Sequence, residues 1–263
     1  MNSLEEKMVY ILEDLKENYH VSGIKAEFEA EGSRFDEVLR LKDLISKIDL
    51  DLTIKIGGCE AISDMREAKN LSPAVIVAPM VETPYAMKKF VNAIDNVFTE
   101  KENIKFYINT ETITGFNNFN DMVTSDDFKK LDGVVLGRGD MTSSIGLTRD
   151  DVNSEQIYNI AYSISNIMNE QNKNFIVGGG VSVESLPFFK RLPYLSGFQT
   201  RKVIFDSKAL LSNQADKGIL KAIGFEIMWL KNKQEYYGLS KQDEIRIEML
   251  SKYNNIIETV NKN

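Results

Sequence analysis

The sequence predicts an α/β chain folded as a TIM-type (β/α)8 barrel, and three observations carry that expectation. Short apolar runs alternate with amphipathic helical runs from residue 4 to residue 205, the pattern of a parallel sheet wound with helices. Many of the apolar runs end in glycine or in a charged residue, as at Gly57-Gly58, Glu82, Glu111, Gly137-Arg138-Gly139-Asp140 and Gly178-Gly179-Gly180. In a parallel barrel all those ends face one mouth, where the chemistry sits. The chain has 263 residues, close to the roughly 250 of a single barrel. A core of that size needs no disulfide or structural metal.

Taken in order, Leu4–Glu17 reads as an amphipathic helix, with Leu4, Met8, Ile11, Leu12 and Leu15 on one face. Ser22–Ala30 alternates strictly, Ile24, Ala26 and Phe28 against Lys25, Glu27 and Glu29. That alternation fits either a solvent-facing strand or a polar cluster pointing into a barrel. Arg34–Ile48 reads as a helix, Leu52–Ile56 as a strand, Glu60–Lys69 as a helix and Ala74–Ala78 as a strand. Thr83–Phe98 is a helix capped by Thr83 with Pro84 at its first position. Ile104–Asn109 is a strand, Gly115–Val123 a weak helix and Leu131–Leu136 a strand, followed by a loop through Leu147. Ser154–Gln171 is a helix, Phe175–Val177 a strand, Ser182–Arg191 a helix and Leu195–Phe205 the last strand. Seven strands are legible, one short of a closed barrel. The irregularity therefore falls at an altered or missing first strand before Leu4, or at a strand the pattern hides. Residues 1–206 form the expected barrel. Residues 207–263 form a C-terminal helical extension of the same domain, including Ile219–Leu230 and Lys241–Val260.

Composition excludes much. One cysteine, Cys59, allows no internal disulfide and fits a reducing compartment. One histidine, His20, sits between a helix and a strand at the less functional end of a barrel, so His-based zinc sites and Ser-His-Asp or Cys-His catalysis are not expected. No run reaches the roughly 18 apolar residues of a membrane span, and residues 1–16 lack an uncharged apolar stretch. The expected location is cytoplasmic. The net charge of −7 is spread along the chain without a basic stripe, so nucleic acid is not an expected partner. What remains is chemistry by carboxylates, lysines, arginines, backbone amides and an oxygen-bound metal.

The rim supplies those groups. Glu111 and Asp140 end neighbouring strands and form a natural pair for Mg²⁺ or Mn²⁺, which take oxygen ligands and keep water. The alternative reading of the Asp140 stretch is a strand, a tight turn and a helix cap. Lys55 ends another strand; it could act as an ammonium or, if desolvated to a neutral amine, as a Schiff-base nucleophile. Cys59 has no histidine to activate it. Gly178-Gly179-Gly180 could cradle a phosphate on its amides or serve only a tight turn.

The segments Ala78-Pro79-Met80-Val81-Glu82-Thr83, Ile108-Asn109-Thr110-Glu111-Thr112 and Leu131–Thr142 with Gly137-Arg138-Gly139-Asp140 resemble, in order and spacing, the HpcH/HpaI aldolase/citrate lyase family of the pyruvate/phosphoenolpyruvate barrels. The resemblance runs from about Gly23 to Phe205. It implies a divalent-metal-dependent carbon–carbon lyase acting on a 2-oxo acid through a metal-stabilised enolate. Glu111 and Asp140 fall at the family's metal-ligand positions. The amides of Arg138 and Gly139 fall where the family holds the 2-oxo acid carboxylate, and Glu82 joins them in the expected substrate site. Two positions depart from the aldolase branch. Lys55 stands near the place of an arginine, and Glu27-Phe28-Glu29-Ala30-Glu31 lacks that branch's histidine. Proton transfer would therefore fall to Glu29, or to Glu27 on the same strand face, with a raised pKa. Lys55 would serve both substrate binding and catalysis.

The expected partners are a small-molecule 2-oxo acid and further copies of the chain. The surplus of apolar residues in Ile219–Leu230 motivates the homo-oligomer. Two other functions fit the same fold, which does not itself fix function. One is a non-catalytic or regulatory barrel that binds a small acid. The other is a related lyase acting on a phosphorylated or acyl-CoA substrate.

Overall fold

The computed structural model describes residues 1–99, 103–254 and 256–257. Eight strands close a barrel in sequence order: β1 (Val21–Glu27), β2 (Asp51–Lys55), β3 (Val75–Ala78), β4 (Lys105–Thr110), β5 (Gly133–Gly137), β6 (Asn174–Gly178), β7 (Gly197–Gln199) and β8 (Val203–Asp206). Strands β1 to β7 pair in parallel. Strand β8 is antiparallel to both β7 and β1.

The expected shortfall of one strand is thereby resolved at the end of the barrel. The segment read as one strand, Leu195–Phe205, is a hairpin. Its turn is Thr200-Arg201-Lys202, closed by the Thr200 N–H on the Val203 carbonyl (2.9 Å) and the Val203 N–H on the Thr200 hydroxyl (3.0 Å). Phe198 and Phe205 stack across it, ring centroids 4.8 Å apart and planes nearly parallel. The return strand fills the gap between β7 and β1, so closure needs no strand ahead of β1. The preceding segment is a helix, α1 (Ser3–Tyr19), whose cap Asn2 and Glu5 form a reciprocal capping box.

The helices α2 (Phe35–Ser46), α3 (Ile62–Asn70), α4 (Pro84–Val97), α5 (Ile113–Asn117), α6 (Phe119–Val123), α7 (Arg138–Ser144), α8 (Glu155–Glu170) and α9 (Leu186–Arg191) follow the strands. Thr83 caps α4 and Ser154 caps α8 through their hydroxyls. Two boundaries differ from the sequence expectation. The weak helix over 115–123 is two short helices, α5 and α6. The expected loop after β5 is α7, which starts at Arg138 with no intervening turn.

Two more helices complete the chain, α10 (Ala215–Tyr236) and α11 (Lys241–Leu250). The last residues of the helix expected over 241–260 lie outside the described residues. Ile219, Ile223, Phe225, Trp229 and Leu230 of α10 are buried in the same core as Met8, Leu12 and Leu15 of α1. A Cβ on Gly218 would meet the Tyr19 ring at 2.9 Å, so α1 and α10 approach closely there. The apolar surplus that motivated an oligomer is therefore largely used within the chain.

The barrel interior is a separate packing unit. Val75 and Val77 of β3, Tyr107 of β4, Val135 of β5 and Ile176 of β6 pack together apart from the main core. They occupy alternate strand positions, the inward face.

Gly197 tests closure. A Cβ there would run into the Phe205 carbonyl of the return strand. Gly197→Ala is expected to destabilise the protein by about 1–3 kcal/mol, the usual range for overpacking. Gly58→Ala, with nothing within 4 Å of the added carbon, is expected to stay within about 0.5 kcal/mol. Urea unfolding of both variants measures the difference.

Candidate functional site

Above the apolar plug the inward face turns charged. Strand register puts Glu27 beside Lys55 and Lys55 beside Val77. The alternating β1 segment is thus the inward polar cluster, not a solvent-facing strand. Lys25, Glu27, Lys55, Asn109, Glu111 and Gln199 are all buried. Groups of that kind survive burial only when paired.

Lys55 is the hub. Its ammonium lies 2.7 Å from Glu29 Oε2 and 3.4 Å from Glu111 Oε2. Burial opposes the charge, but Glu111, Glu27 and Glu29 outweigh it and raise the Lys55 pKa above its ordinary value. Lys55 is therefore an ammonium at neutral pH. Glu111 Oε2 also accepts from Asn109 Nδ2 at 2.8 Å. Its Oε1 accepts the backbone N–H of Met80 at 3.1 Å, a residue held at φ 52° in the left-handed region. A Cβ on Gly137 would stand 2.7 Å from Glu111 Oε2, so only glycine lets β5 pass this carboxylate.

Glu27, the last residue of β1, and Glu29, just beyond it, diverge. Burial pushes Glu27 up, but Lys25 and Lys55 prevail and bring it down to about 2; Lys25 is its direct ion-pair partner. Glu29 sits at the rim, half-buried. Desolvation raises its pKa, Lys55 pulls it back, and the nearby charges of Glu111 and Glu27 raise it further, leaving it above the usual carboxylate value. The Lys55–Glu29 contact is close but not aligned as a hydrogen bond, so Glu29 Oε2 has no directed donor.

Asp140 lies on α7 across the mouth and is exposed. Partial desolvation by the cavity wall raises its carboxyl, and the Glu111 charge raises it further. It accepts no hydrogen bond or ion pair from the described residues. Arg138, just before it, turns its side chain away from the mouth and is fully buried. Its guanidinium donates to Gly178 O (3.2 Å), Val152 O (3.3 Å), Asn153 Oδ1 (2.6 Å) and Ser185 Oγ (3.3 Å). It lies over the rings of Phe188 and Phe189 at 4.8 and 4.9 Å. With no carboxylate beside it, burial pushes its pKa down to about 9, still charged at neutral pH. Only the Arg138 and Gly139 amides, at the start of α7, are left to face a ligand. Gly179, at φ 77°, packs directly against this backbone, since a Cβ there would stand 2.5 Å from the Gly139 nitrogen and 2.7 Å from that of Arg138.

The remaining expected residues sort clearly. Glu82 accepts the Thr112 hydroxyl at 2.5 Å and lies close enough to Cys59 for its charge to act on the thiol. Burial, first, and then Glu82 raise the Cys59 pKa, the wrong direction for a nucleophile. His20 closes α1 in the left-handed conformation, before β1 and away from the mouth. Close approach to the Arg138–Gly139 backbone and to Val152 accounts for Gly179 and Gly180. Sequence reading missed the role of Asn109 and the pairing of Glu31 with Arg201 (3.0 Å) and Lys202. Period-two alternation could have found Asn109, which shares its strand face with Glu111.

The residues present fit a divalent ion in one respect and limit it in another. The Glu111 charge raises the energy of the ionised Asp140 carboxylate, which a cation between them would relieve. No group of three His, Cys, Asp or Glu side chains gathers as a metal cage among the described residues. The protein would thus supply two carboxylates and leave the other positions to water and substrate, which suits Mg²⁺ or Mn²⁺.

Glu27 generates a pH prediction. Its folded pKa lies below the unfolded value of 4.5, so its stabilisation is present above 4.5 and is lost as pH falls toward about 2. Glu27→Gln is expected to flatten the fall in stability across that window, while lowering the plateau because Lys25 loses its partner. Urea midpoints at pH 6, 4 and 3 read both effects.

The comparisons with known proteins agree with this architecture. The family model described as HpcH/HpaI aldolase/citrate lyase matches residues 54–178, a stretch holding Lys55, Glu82, Glu111, Arg138 and Asp140. No curated protein sequence matches the chain. Among solved structures, an HpcH/HpaI aldolase from Desulfitobacterium hafniense DCB-2 superposes with TM-score 0.59 at 10% identity, covering 89% of this chain and 90% of that one. Citrate synthase SbnG superposes with TM-score 0.58 at 13% identity, covering 87% and 90%. A citrate lyase from Burkholderia xenovorans LB400 superposes with TM-score 0.55 at 11% identity, covering 97% and 88%. At these identities the likeness is one of fold. Among the described residues no helix is long and apolar enough to cross a membrane. Over residues 54–178 the chain is similar to the HpcH/HpaI aldolase/citrate lyase family.

Proposed function

We propose that this protein is a divalent-metal-dependent carbon–carbon lyase that forms or cleaves a 2-oxo acid such as pyruvate. The observation that carries the reading is the Lys55 ammonium held between Glu29 and Glu111 on the rim that also bears Asp140. Glu111 and Asp140 would hold Mg²⁺ or Mn²⁺. An ion bound there would act as a Lewis acid toward the 2-oxo acid oxygens.

The chain's own groups supply the rest. The Arg138 and Gly139 amides, beside which only a glycine fits at position 179, would receive the substrate carboxylate. Glu82, fixed by Thr112, would bound the substrate on the β3 side. Lys55 would set positive charge against the 2-oxo oxygen, which gains negative charge as the carbon–carbon bond breaks. Held as an ammonium, it is unsuited to Schiff-base formation at neutral pH. Glu29, raised in pKa and open at the rim, would be the proton acceptor. In cleavage it would take the proton of the hydroxyl that becomes a carbonyl, while the bond's electron pair passes to the 2-oxo acid fragment, and would then deliver that proton to the enolate carbon. In the reverse direction the same carboxyl would return that proton. The single cysteine fits a reducing, cytoplasmic setting.

Hydrogen–deuterium exchange at the pyruvate methyl, followed by NMR with and without Mn²⁺, tests this without the second substrate. Asp140→Asn is expected to abolish Mn²⁺ binding and exchange together. Glu29→Gln is expected to slow exchange by about 10²–10⁴-fold, the usual general acid–base contribution, with Mn²⁺ affinity nearly unchanged. Lys55→Met is expected to weaken pyruvate binding and exchange. Mn²⁺ binding by the wild type without any exchange would replace the lyase reading with that of a small-acid binding protein.

A further inference from the structure

The charges around the mouth are unevenly divided. On the β1–β5 side five carboxylates, Glu27, Glu29, Glu82, Glu111 and Asp140, face two cations, Lys25 and Lys55. On the β7–β8 side the balance reverses. Four cations, Arg149, Arg201, Lys202 and Arg246, face two carboxylates, Glu31 and Glu226.

Both of those carboxylates are already committed. Glu31 is buried and receives Arg201 Nε at 3.0 Å together with the Lys202 ammonium. Glu226, fully buried on α10, receives Arg246 of α11 through Nε at 2.5 Å and Nη2 at 2.8 Å. Arg201 Nη2 is left buried with no acceptor. Arg149 has no acidic ion-pair partner among the described residues. Pairing within the fold explains Arg246 and the Nε of Arg201 but not Arg201 Nη2, while Arg149 is exposed and open to a ligand.

Position brings these groups to the site. Arg201 lies in the turn at the C-terminal end of β7, the mouth end. Arg149 opens the 3₁₀ turn Arg149–Asn153, nine residues after Asp140, and Arg138 ties that turn to the end of β6. Arg149 is within electrostatic reach of the others: burial first, then the charges of Arg246 and Arg201, lower its pKa, and Glu226 and Asp140 partly offset them. An unmatched buried N–H and adjacent like charges are both relieved by one oxyanion, whose planar or tetrahedral oxygens suit guanidinium forks.

We propose that Arg149 and Arg201, with Arg246 behind them, form an oxyanion subsite beside the Asp140 end of the mouth, and that the second substrate carries a carboxylate or a phosphate there. The words "second substrate" rest on the lyase reading; the anion site itself does not.

The test is isothermal titration of the full-length protein, with chelator present to keep Glu111 and Asp140 metal-free, using inorganic phosphate and succinate as separate probes. At least one is expected to bind the wild type, and the tighter of the two identifies the source of the anion. Arg149→Gln and Arg201→Gln are each expected to weaken it by roughly tenfold or more, as for loss of a charge-assisted hydrogen bond. Arg149→Lys, which keeps the charge and loses the fork, should fall between. Both glutamine variants should melt near the wild type, because Lys202 still pairs Glu31 and Arg149 leaves no partner stranded. Failure of both probes to bind at millimolar concentration, or equal binding by the variants, overturns the subsite. Pyruvate exchange on the same samples separates the two claims. Exchange without anion binding removes the subsite and leaves the lyase. Anion binding lost in the variants, without exchange, keeps the subsite and removes the lyase.

Discussion

The geometry of the mouth depends on one buried cation. Arg138 brings a guanidinium into the space between β5, β6 and α9 with no carboxylate to answer it. Taking such a charge out of water costs several kcal/mol. Four oxygens, from Gly178, Val152, Asn153 and Ser185, and the faces of Phe188 and Phe189 offset that cost. The acceptors come from different parts of the chain, so satisfying one side chain fixes them all relative to α7. Asp140 and the Gly139 amide inherit that fixed position. The Arg149 turn inherits it too, through Val152 and Asn153. Because the acceptors are neutral, Arg138 adds net positive charge beneath the site without neutralising any rim carboxylate.

Above and around it, the interior is layered by polarity. The plug of Val75, Val77, Tyr107, Val135 and Ile176 excludes water from below. The next layer is ionic and lies in the low-dielectric shadow of the plug, where charge–charge terms strengthen. Burial should have favoured neutral Lys55, yet the three glutamates nearest it win. A lysine so clasped is a fixed positive charge rather than a nucleophile. The same layering explains why a β strand with charged residues at the alternate positions Lys25 and Glu27 is a barrel strand at all.

Much of this was legible in the sequence, for physical reasons. Strand ends in a parallel barrel must face one mouth, so Lys55, Glu82, Glu111 and Asp140 could be gathered there from chain order alone. The eighth strand was not legible, because its turn is Thr200-Arg201-Lys202 and carries none of the Gly, Asn or Asp signals of a hairpin. Two strands and their turn therefore read as one long run. Helix α7 was hidden by Gly137 and Gly139, which mark a loop locally; the buried Arg138 overrides them. The direction of the Arg138 side chain, and the Arg149, Arg201 and Arg246 grouping, depend on tertiary packing between segments up to 97 residues apart in number. No local pattern encodes that.

The sharpest lesson of the site concerns Glu27 and Glu29. They are the same residue type, two positions apart on one strand face, and sequence alone offered either as the proton carrier. Depth separates them. Glu27 sits within the barrel between two lysines, and their attraction overcomes its burial to hold it ionised far into acid. Glu29 sits one layer higher, shares a single lysine with Glu111, and feels two other carboxylates; desolvation then decides, and its pKa rises. Environments that drive two carboxyls apart in this way suit one to permanent charge and the other to the proton transfer proposed for Glu29. In a mouth without histidine that division is what acid–base chemistry requires, because a carboxylate with an ordinary pKa would be a weak acceptor near neutral pH. Glu27 also takes part in the assignment from below: its fixed charge both helps keep Lys55 protonated and raises Glu29. The buried pair Lys25–Glu27 thus tunes a residue that neither of them needs to touch.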